Sequence, residues 1–399
     1  MSKKIGFGVL LCFAGLTVLA ASPGDQEKLA SANTAFAFDL LKQIAKEQAN
    51  RSIFISPFSV STALQMVGNG AAGETKAEMQ RVLKTGGLPA ETLNAACKDL
   101  NQSLNSQPGV ILNLANAIWY KKEFHLKPEF VSVNKQFFQA ELGGVDFTKP
   151  ESAQTINHWA DTSTHGKIKE VVRWPFDPLT RVILANAIYF KGKWDRPFDK
   201  QATKDHAFNV LPGVTPKQVP MMWQHGHFNY QQGDGFQAVR LPYAGGHLQM
   251  YLFLPDTNSS PAKLLADWNA DTWQNKILPK FQDMQGMLAL PRFKLDYDVT
   301  LNDPLKALGM RQAFASAADF SAMADEPLFV SEVKQKSFVE VNEEGTEAAA
   351  VTTVVMTAAA VFRPEKPFEM IVDRPFIFVI GDDQTKSILF MGVIYDPAG

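Results

Sequence analysis

Cysteine is nearly absent from the chain, with Cys12 and Cys97 the only two among 399 residues. That scarcity excludes a disulfide-stapled scaffold and zinc sites built from cysteine clusters, and no C-x-x-C redox pair occurs. Histidine is scarce too, at 7 residues, and only His225 and His227 stand close together. Two ligands without a nearby third do not make a metal site, so no metal and no cofactor is expected. Neither sign of charge dominates, since 39 Lys and Arg oppose 41 Asp and Glu. With no basic cluster longer than KGKWDR, that balance argues against nucleic acid as a partner. Past the first twenty residues no apolar run is long enough to span a membrane. The G-x-S-x-G elbow, the H-E-x-x-H pair and the phosphate-binding glycine loop are all missing, so the chain is not read as an enzyme.

What is present begins with Lys3 and Lys4 ahead of an apolar run from Ile5 to Ala20. This pattern is expected to be a secretory signal over residues 1–20, cut after Ala20, which places the protein outside the cell or in a periplasm. Loss of that segment removes Cys12 and leaves Cys97, whose spacing from Leu93, Leu100 and Leu104 puts it on an apolar helical face. Further amphipathic helices are expected around Phe36, Leu40 and Ile44, and around Leu64 and Val67. Strands dominate later, an α+β pattern. LANAIWYKK from 114 and LANAIYFKG from 184 echo each other, once only, so no solenoid is implied. No linker or composition break divides residues 21–399, which are read as a single domain.

The most informative stretch is EEGTEAAAVTTVVMTAAAVFR, from Glu343 to Arg363. Residues 348–362 are uncharged, mostly Ala, Val and Thr, and the tract ends in PEKP, whose prolines cannot donate to a ladder. In an extended chain alternate side chains share a face. One face would carry Thr346, Ala348, Ala350, Thr352, Val354, Met356 and Ala358, all small or apolar. The other would carry Glu347, Ala349, Val351, Thr353, Val355, Thr357 and Ala359, with a single charge. The residues alone leave three readings: a permanent buried strand, a low-complexity linker, or a strand that joins the middle of a sheet later. Alanine is a weak strand former, and its abundance points to selection for small volume.

NEEGTEAAAVTTVV resembles the hinge of the serpins, protease inhibitors whose reactive-centre loop inserts into a central sheet. The resemblance runs from about Asn33 to Pro397 and includes SIFISPFSVSTALQMVGNGA, VILANAIYFKGKWDRPF, LALPRFKLDYDVTLNDPLKALGM and DRPFIFVIGDDQTKSILFMGVIYDP. It implies an α+β serpin fold of three β-sheets, about eight or nine helices and an exposed loop over about residues 343–366. The LANAI echoes then become neighbouring strands of the central sheet.

Carried over position by position, Glu343, Glu344, Gly345, Thr346, Glu347, Ala348, Ala349, Ala350, Val351 and Thr352 are implied to form the hinge. Ser56, Ser59 and Asn186 are implied to form the polar cluster, or shutter, that opens for the new strand, although Ser56 before Pro57 also fits a plain helix cap. Gln335 stands where many members have histidine; it both donates and accepts, so the cluster can be satisfied without that residue's pH dependence. Trp194 is implied to mark the top of the sheet. Arg292 and Glu343 match an ion pair at the loop base, which as a surface pair would contribute about 0 to 1 kcal/mol. Family spacing from Gly345 puts the reactive bond between Ala359 and Ala360, with Met356, Val361, Phe362 and Arg363 as alternative cleavage positions. A small residue before the cut suits elastase-like or subtilisin-like enzymes. The resemblance therefore implies a monomeric, secreted suicide inhibitor whose partner is a serine protease held as a covalent acyl complex, with a cysteine protease as the weaker candidate. The competing reading is a binding or carrier protein of the same fold whose loop is only a substrate.

Overall fold

The computed structural model describes residues 21–105, 110–346 and 366–398. Helices dominate the first third, and several begin in the same way. Ser22, Ser56 and Ser260 each accept from a backbone N–H of the first turn, and a proline follows each at the first helical position. The serine satisfies a donor that the helix cannot, and the proline is pre-set for the turn while lacking the N–H that would be left over. The first helix, Pro23–Glu47, buries Phe36, Leu40 and Ile44 completely. Pro57–Gly68 is buried along nearly its whole length, Leu64 and Val67 included. In Ala90–Asn105, Leu93, Cys97, Leu100 and Leu104 share the buried face, as their spacing predicts.

Six strands form the central sheet, in the order Phe293–Thr300, Val330–Asn342, Gly345–Thr346, Val182–Lys193, Val110–Lys121 and Glu141–Val145. The two LANAI strands are antiparallel neighbours, registered so that Asn116 faces Asn186 and Ala115 faces Ala187. A second hydrogen-bonded assembly of nine strands lies elsewhere among the described residues. One long strand, Lys217–Gly233, ties it together: Lys217–Met221 pair with Lys204–Phe208, Met221–Tyr230 with Gln282–Pro291, and Asn229–Gly233 with Phe236–Pro242. Because that strand is shared, the described strands hydrogen-bond into two assemblies. Eight α-helices and one π-helical stretch, Thr272–Ile277, occur among the described residues, as expected.

The core has two parts, divided by the central sheet. Its inner face contributes Leu184, Ile188, Phe190, Val333 and Val339 to a large cluster that reaches Phe36, Phe54 and Phe378. On the outer face Ile183, Ala185 and Ala187 pack with Ile156 and Ala160 of the helix Pro150–Ser163. Strands buried on both faces read as near-continuous apolar runs, which explains the sequence VILANAIYF.

Candidate functional site: an opening in the central sheet

Val330–Asn342 and Val182–Lys193 run parallel and pair directly from Val330 with Val182 up to Phe338 with Tyr189. Above that rung they part, and a two-residue strand occupies the gap. Gly345 lies opposite Asn342 on one side and Lys193 on the other, while Thr346 lies between Val341 and Gly192. The sequence reading put the tract after Gly345 outside the sheet. Its first residue is already inside, because Thr346 is fully buried and its hydroxyl shares a 2.8 Å hydrogen bond with the Tyr243 hydroxyl. Thr346 faces the core, as the alternation predicts for that set of residues.

Two glycines make this seat. Gly345 has φ +148°, and a Cβ there would lie 2.1 Å from the Gly192 carbonyl oxygen, a backbone atom that cannot step aside. A Cβ on Gly192 would in turn meet the Tyr243 ring at 2.7 Å. Tyr243 stacks on Trp194 with ring centroids 4.7 Å apart, and Trp194 Nε1 donates to the Asn342 carbonyl at 2.9 Å. Trp194 thus packs beside the open end of the two strands. Burial pushes the Tyr243 phenol well above its ordinary range, which keeps it a neutral hydrogen-bonding group.

The turn above the inserted pair is held by its own acids. The Arg292 guanidinium donates to both oxygens of Glu343 at 2.7 and 2.9 Å, and the Thr203 hydroxyl donates to one of them. This is not the surface pair expected from the sequence, since the Glu343 side chain is only 2 % exposed while Arg292 keeps 43 %. Burial pushes the Glu343 carboxyl upward, but Arg292 and Thr203 outweigh it and hold it below the usual glutamate range. Backbone bonds fasten the same turn: Phe198 N donates to Glu343 O at 2.8 Å and Trp194 N to Glu344 O at 2.9 Å. The Glu344 carboxylate pairs with Lys200.

A second polar group lies lower in the sheet, where the two strands are still closed. Gln335 and Asn186 face each other across the parallel pair, and Gln335 Nε2 donates to Asn186 Oδ1 at 2.8 Å. The same amide exchanges bonds with the Ser56 backbone, accepting from its N–H at 3.0 Å and donating to its carbonyl at 3.1 Å. Asn186 Nδ2 donates to the Ser59 hydroxyl and, at 2.6 Å, to Asn116 Oδ1. Ser56 Oγ donates to the Leu389 carbonyl at 2.7 Å and accepts from Ser59 N at 3.3 Å. Ser56 therefore caps a helix and also hydrogen-bonds within this buried polar group. Gln335 fills its place without a histidine, at 0 % exposure. Asn116 and Tyr243 were not singled out from the sequence. The LANAI echo carried the signal for Asn116, whereas nothing in LPYAGG separates Tyr243 from an ordinary turn residue.

Glu347, Ala348, Ala349, Ala350, Val351, Thr352, Ala359 and Ala360 lie outside the described residues. Among the described residues no group of three or more potential metal ligands converges. His227 instead contacts Asp283 at 3.2 Å. Cys97 is buried and donates to Gln65 Oε1 at 2.9 Å, and burial pushes its thiol far up, away from thiolate chemistry.

A family model described as "Serpin (serine protease inhibitor)" matches residues 31–397. The leukocyte elastase inhibitor of Bos taurus is 39% identical over 383 residues, covering 93% of this chain and 100% of that protein. An uncharacterized serpin-like protein of Thermococcus kodakarensis is 37% identical over 381 residues, covering 94% of this chain and 87% of the other. Among solved structures, the thermophilic serpin tengpin in its native state superposes with a TM-score of 0.86 at 28% identity, over 95% of this chain and 96% of that one. Human thyroxine-binding globulin complexed with its hormone gives 0.85 at 27% identity, over 94% of this chain and 100% of that one.

Proposed function

The chain belongs to the serpin family, and we propose that it is a secreted suicide inhibitor of serine proteases with elastase-like or subtilisin-like specificity. The observation that carries this reading is the Gly345–Thr346 strand, seated between two parallel strands that could accept its continuation. Extending both registers residue by residue gives each inward-facing position a partner on either side. Ala348 would meet Phe190 and Val339, Ala350 would meet Ile188 and Ser337, and Thr352 would meet Asn186 and Gln335. The positions that would pass under the packed helices are small, so no bulky or charged group has to be forced beneath the sheet.

In this mechanism the nucleophile of the protease attacks the carbonyl carbon of Ala359. The bond to Ala360 breaks, the new amino terminus leaves, and an acyl-enzyme forms on Ala359. Insertion of the freed strand carries the attached protease away before water can reach the acyl bond. The proton transfers belong to the protease; this chain contributes the bait and the stored free energy. In the intact protein the Gln335–Asn186 bond holds the lower rungs shut, while the Glu343–Arg292 pair and the Trp194–Asn342 bond fix the turn that leads into the opening. Similarity to leukocyte elastase inhibitors supports the protease class. The Lys3, Lys4 and Ile5–Ala20 pattern supports secretion. A cysteine protease would be trapped by the same steps and is the weaker target.

Mixing the protein with pancreatic elastase or subtilisin tests the reading. A denaturant-resistant covalent complex of one inhibitor with one protease is expected, and mass spectrometry of the released carboxy-terminal fragment should place its first residue at Ala360. Cleaved inhibitor beside fully active protease in every mixture would refute it. Likeness to thyroxine-binding globulin favours a second reading, a binding protein with a loop that is merely cut. Heating separates the two: a cut inhibitor of this kind should melt tens of degrees above the intact form, and a plain carrier should not.

A further inference from the structure

Ala21, which stands just ahead of the first helix, makes a contact with a distant acid. Its backbone nitrogen donates to Asp99 Oδ2 at 3.1 Å, across 78 positions of chain, and the Gln26 amide reaches the same oxygen at 3.5 Å. Asp99 is half-buried and comes from Ala90–Asn105, a helix that packs on Pro23–Glu47. The Ala21 side chain is half-buried too, against the large inner cluster. Side chain and nitrogen are therefore both held.

The contact gains meaning from the residues that precede it. With the expected cut after Ala20 in VLA, Ala21 becomes the first residue of the exported chain. A signal peptidase adds water across that bond: the hydroxyl goes to the Ala20 carbonyl carbon, the C–N bond breaks, and the Ala21 nitrogen leaves as an amine that takes up a proton near neutral pH. The atom facing Asp99 thus changes from a neutral amide with one N–H to an ammonium with three. Left unpaired, that charge would be unfavourable, because it stands two residues before Pro23, at the positive end of the helix dipole. The acid of the first turn, Asp25, is engaged by the Ser22 hydroxyl at 2.6 Å and by Lys28 at 3.5 Å. Lys98, beside Asp99 in the chain, is turned to the Phe137 ring, 6.0 Å from its centroid. Asp99 is left to meet the new charge.

We propose that Asp99 is the binding site for the chain's own processed amino terminus, so that removal of residues 1–20 exchanges a neutral hydrogen bond for an ion pair tying the first helix to Ala90–Asn105. This rests on the secretion reading proposed above. The seat is specific for the position of the cut, since one residue more or fewer moves the charge by about 3.8 Å, beyond hydrogen-bond range of Oδ2. Export and final stability are thereby coupled: the precursor lacks the charge, and a miscut product lacks the fit.

Expression of the full precursor in a secreting host, followed by intact mass spectrometry, is expected to give Ala21 as the first residue of the exported protein. The α-amine of that product should react with an amine-directed label at pH 7 about three- to ten-fold more slowly than in exported D99N, because pairing keeps it protonated. D99N should also raise the unfolding equilibrium constant about two- to ten-fold in a denaturant titration. An N-terminal acetyl group on the mature chain keeps the N–H and removes the charge; it should destabilise the parent and leave D99N nearly unchanged. Equal labelling of parent and D99N, or effects of D99N and acetylation that multiply, overturns the seat and leaves secretion standing. So does an exported product that begins at any residue other than Ala21. A chain retained in the cell with its first twenty residues attached overturns both. If D99N does not fold, acetylation of the parent decides, since a parent that loses no stability on acetylation has no ion pair to lose.

Discussion

Replacing Thr352 by valine should weaken the loop-cleaved protein and leave the intact protein unchanged. The reasoning starts from the 2.8 Å bond between Gln335 and Asn186, which exists only because their strands are neighbours. A strand inserted between them moves them about 10 Å apart, beyond hydrogen-bond reach. Both amides stay buried and lose a partner at once. The registers of Gly345 and Thr346 bring Thr352 into that gap, and its hydroxyl, one donor with two acceptor sites, can replace what was lost. Valine has nearly the same shape and no hydroxyl, so Asn186 Oδ1, which accepted from Gln335, would remain unsatisfied at about 1–3 kcal/mol. A chain of roughly 380 residues unfolds with about 0.8 kcal/mol per degree of entropy at its midpoint, so the expected loss is about 1–4 °C in the Tm of the cleaved form. Calorimetry on cleaved parent, T352V and T353V makes the comparison, with Thr353 facing outward as the control. A drop in T353V with none in T352V would show the register to be wrong by one residue, and no drop in either would refute the replacement argument.

Tyr243→Phe removes one half of a buried hydroxyl pair and strands Thr346, so the intact protein should lose about 1–2 kcal/mol in a denaturant titration while its cleaved form changes less. Gly345→Ala cannot occupy the seat beside the Gly192 carbonyl; the variant should fold, but titration with elastase should need more inhibitor per enzyme because more of the loop is cut without trapping. Glu343 has a depressed folded-state pKa, so its charge stabilises the intact hinge above the ordinary glutamate pKa near 4.3, and that contribution is lost as pH falls through the lower folded value. Spontaneous conversion of the intact protein to a heat-resistant, non-inhibitory form should therefore accelerate below about pH 4, and E343Q should already be fast near pH 7 with a flatter profile. Gln335→His should introduce a dependence of conversion rate on pH near 6.5 that the parent lacks, read by the same conversion assay from about pH 5 to 8.

The parts of this architecture that repeat or alternate were legible in the chain. The LANAI segments stand out as an echo, and the resemblance makes them neighbouring strands, while Ser56 before Pro57 announces a helix because that signal is local and its physical cause lies within a few residues. The polar cluster was legible through Ser56, Ser59, Asn186 and Gln335, but Asn116 was passed over even though it occupies the same place in its repeat as Asn186. What could not be read were contacts made by distant chain. The Arg292–Glu343 pair was expected as a surface pair, but the burial of its carboxylate and the third partner, the Thr203 hydroxyl, were not read. Thr346 looked like the first free residue of a loop because its partner, the Tyr243 hydroxyl, is 103 positions away.

The Ser56 hydroxyl has a further implication for how the molecule is made. One of its bonds starts the helix Pro57–Gly68, and the other reaches the carbonyl of Leu389 in Ser387–Ile394. A ribosome delivers those two partners 333 residues apart. Until Leu389 emerges, the hydroxyl has a helix to cap but no strand to grip, so this fastening forms only after the whole stretch between them has been made.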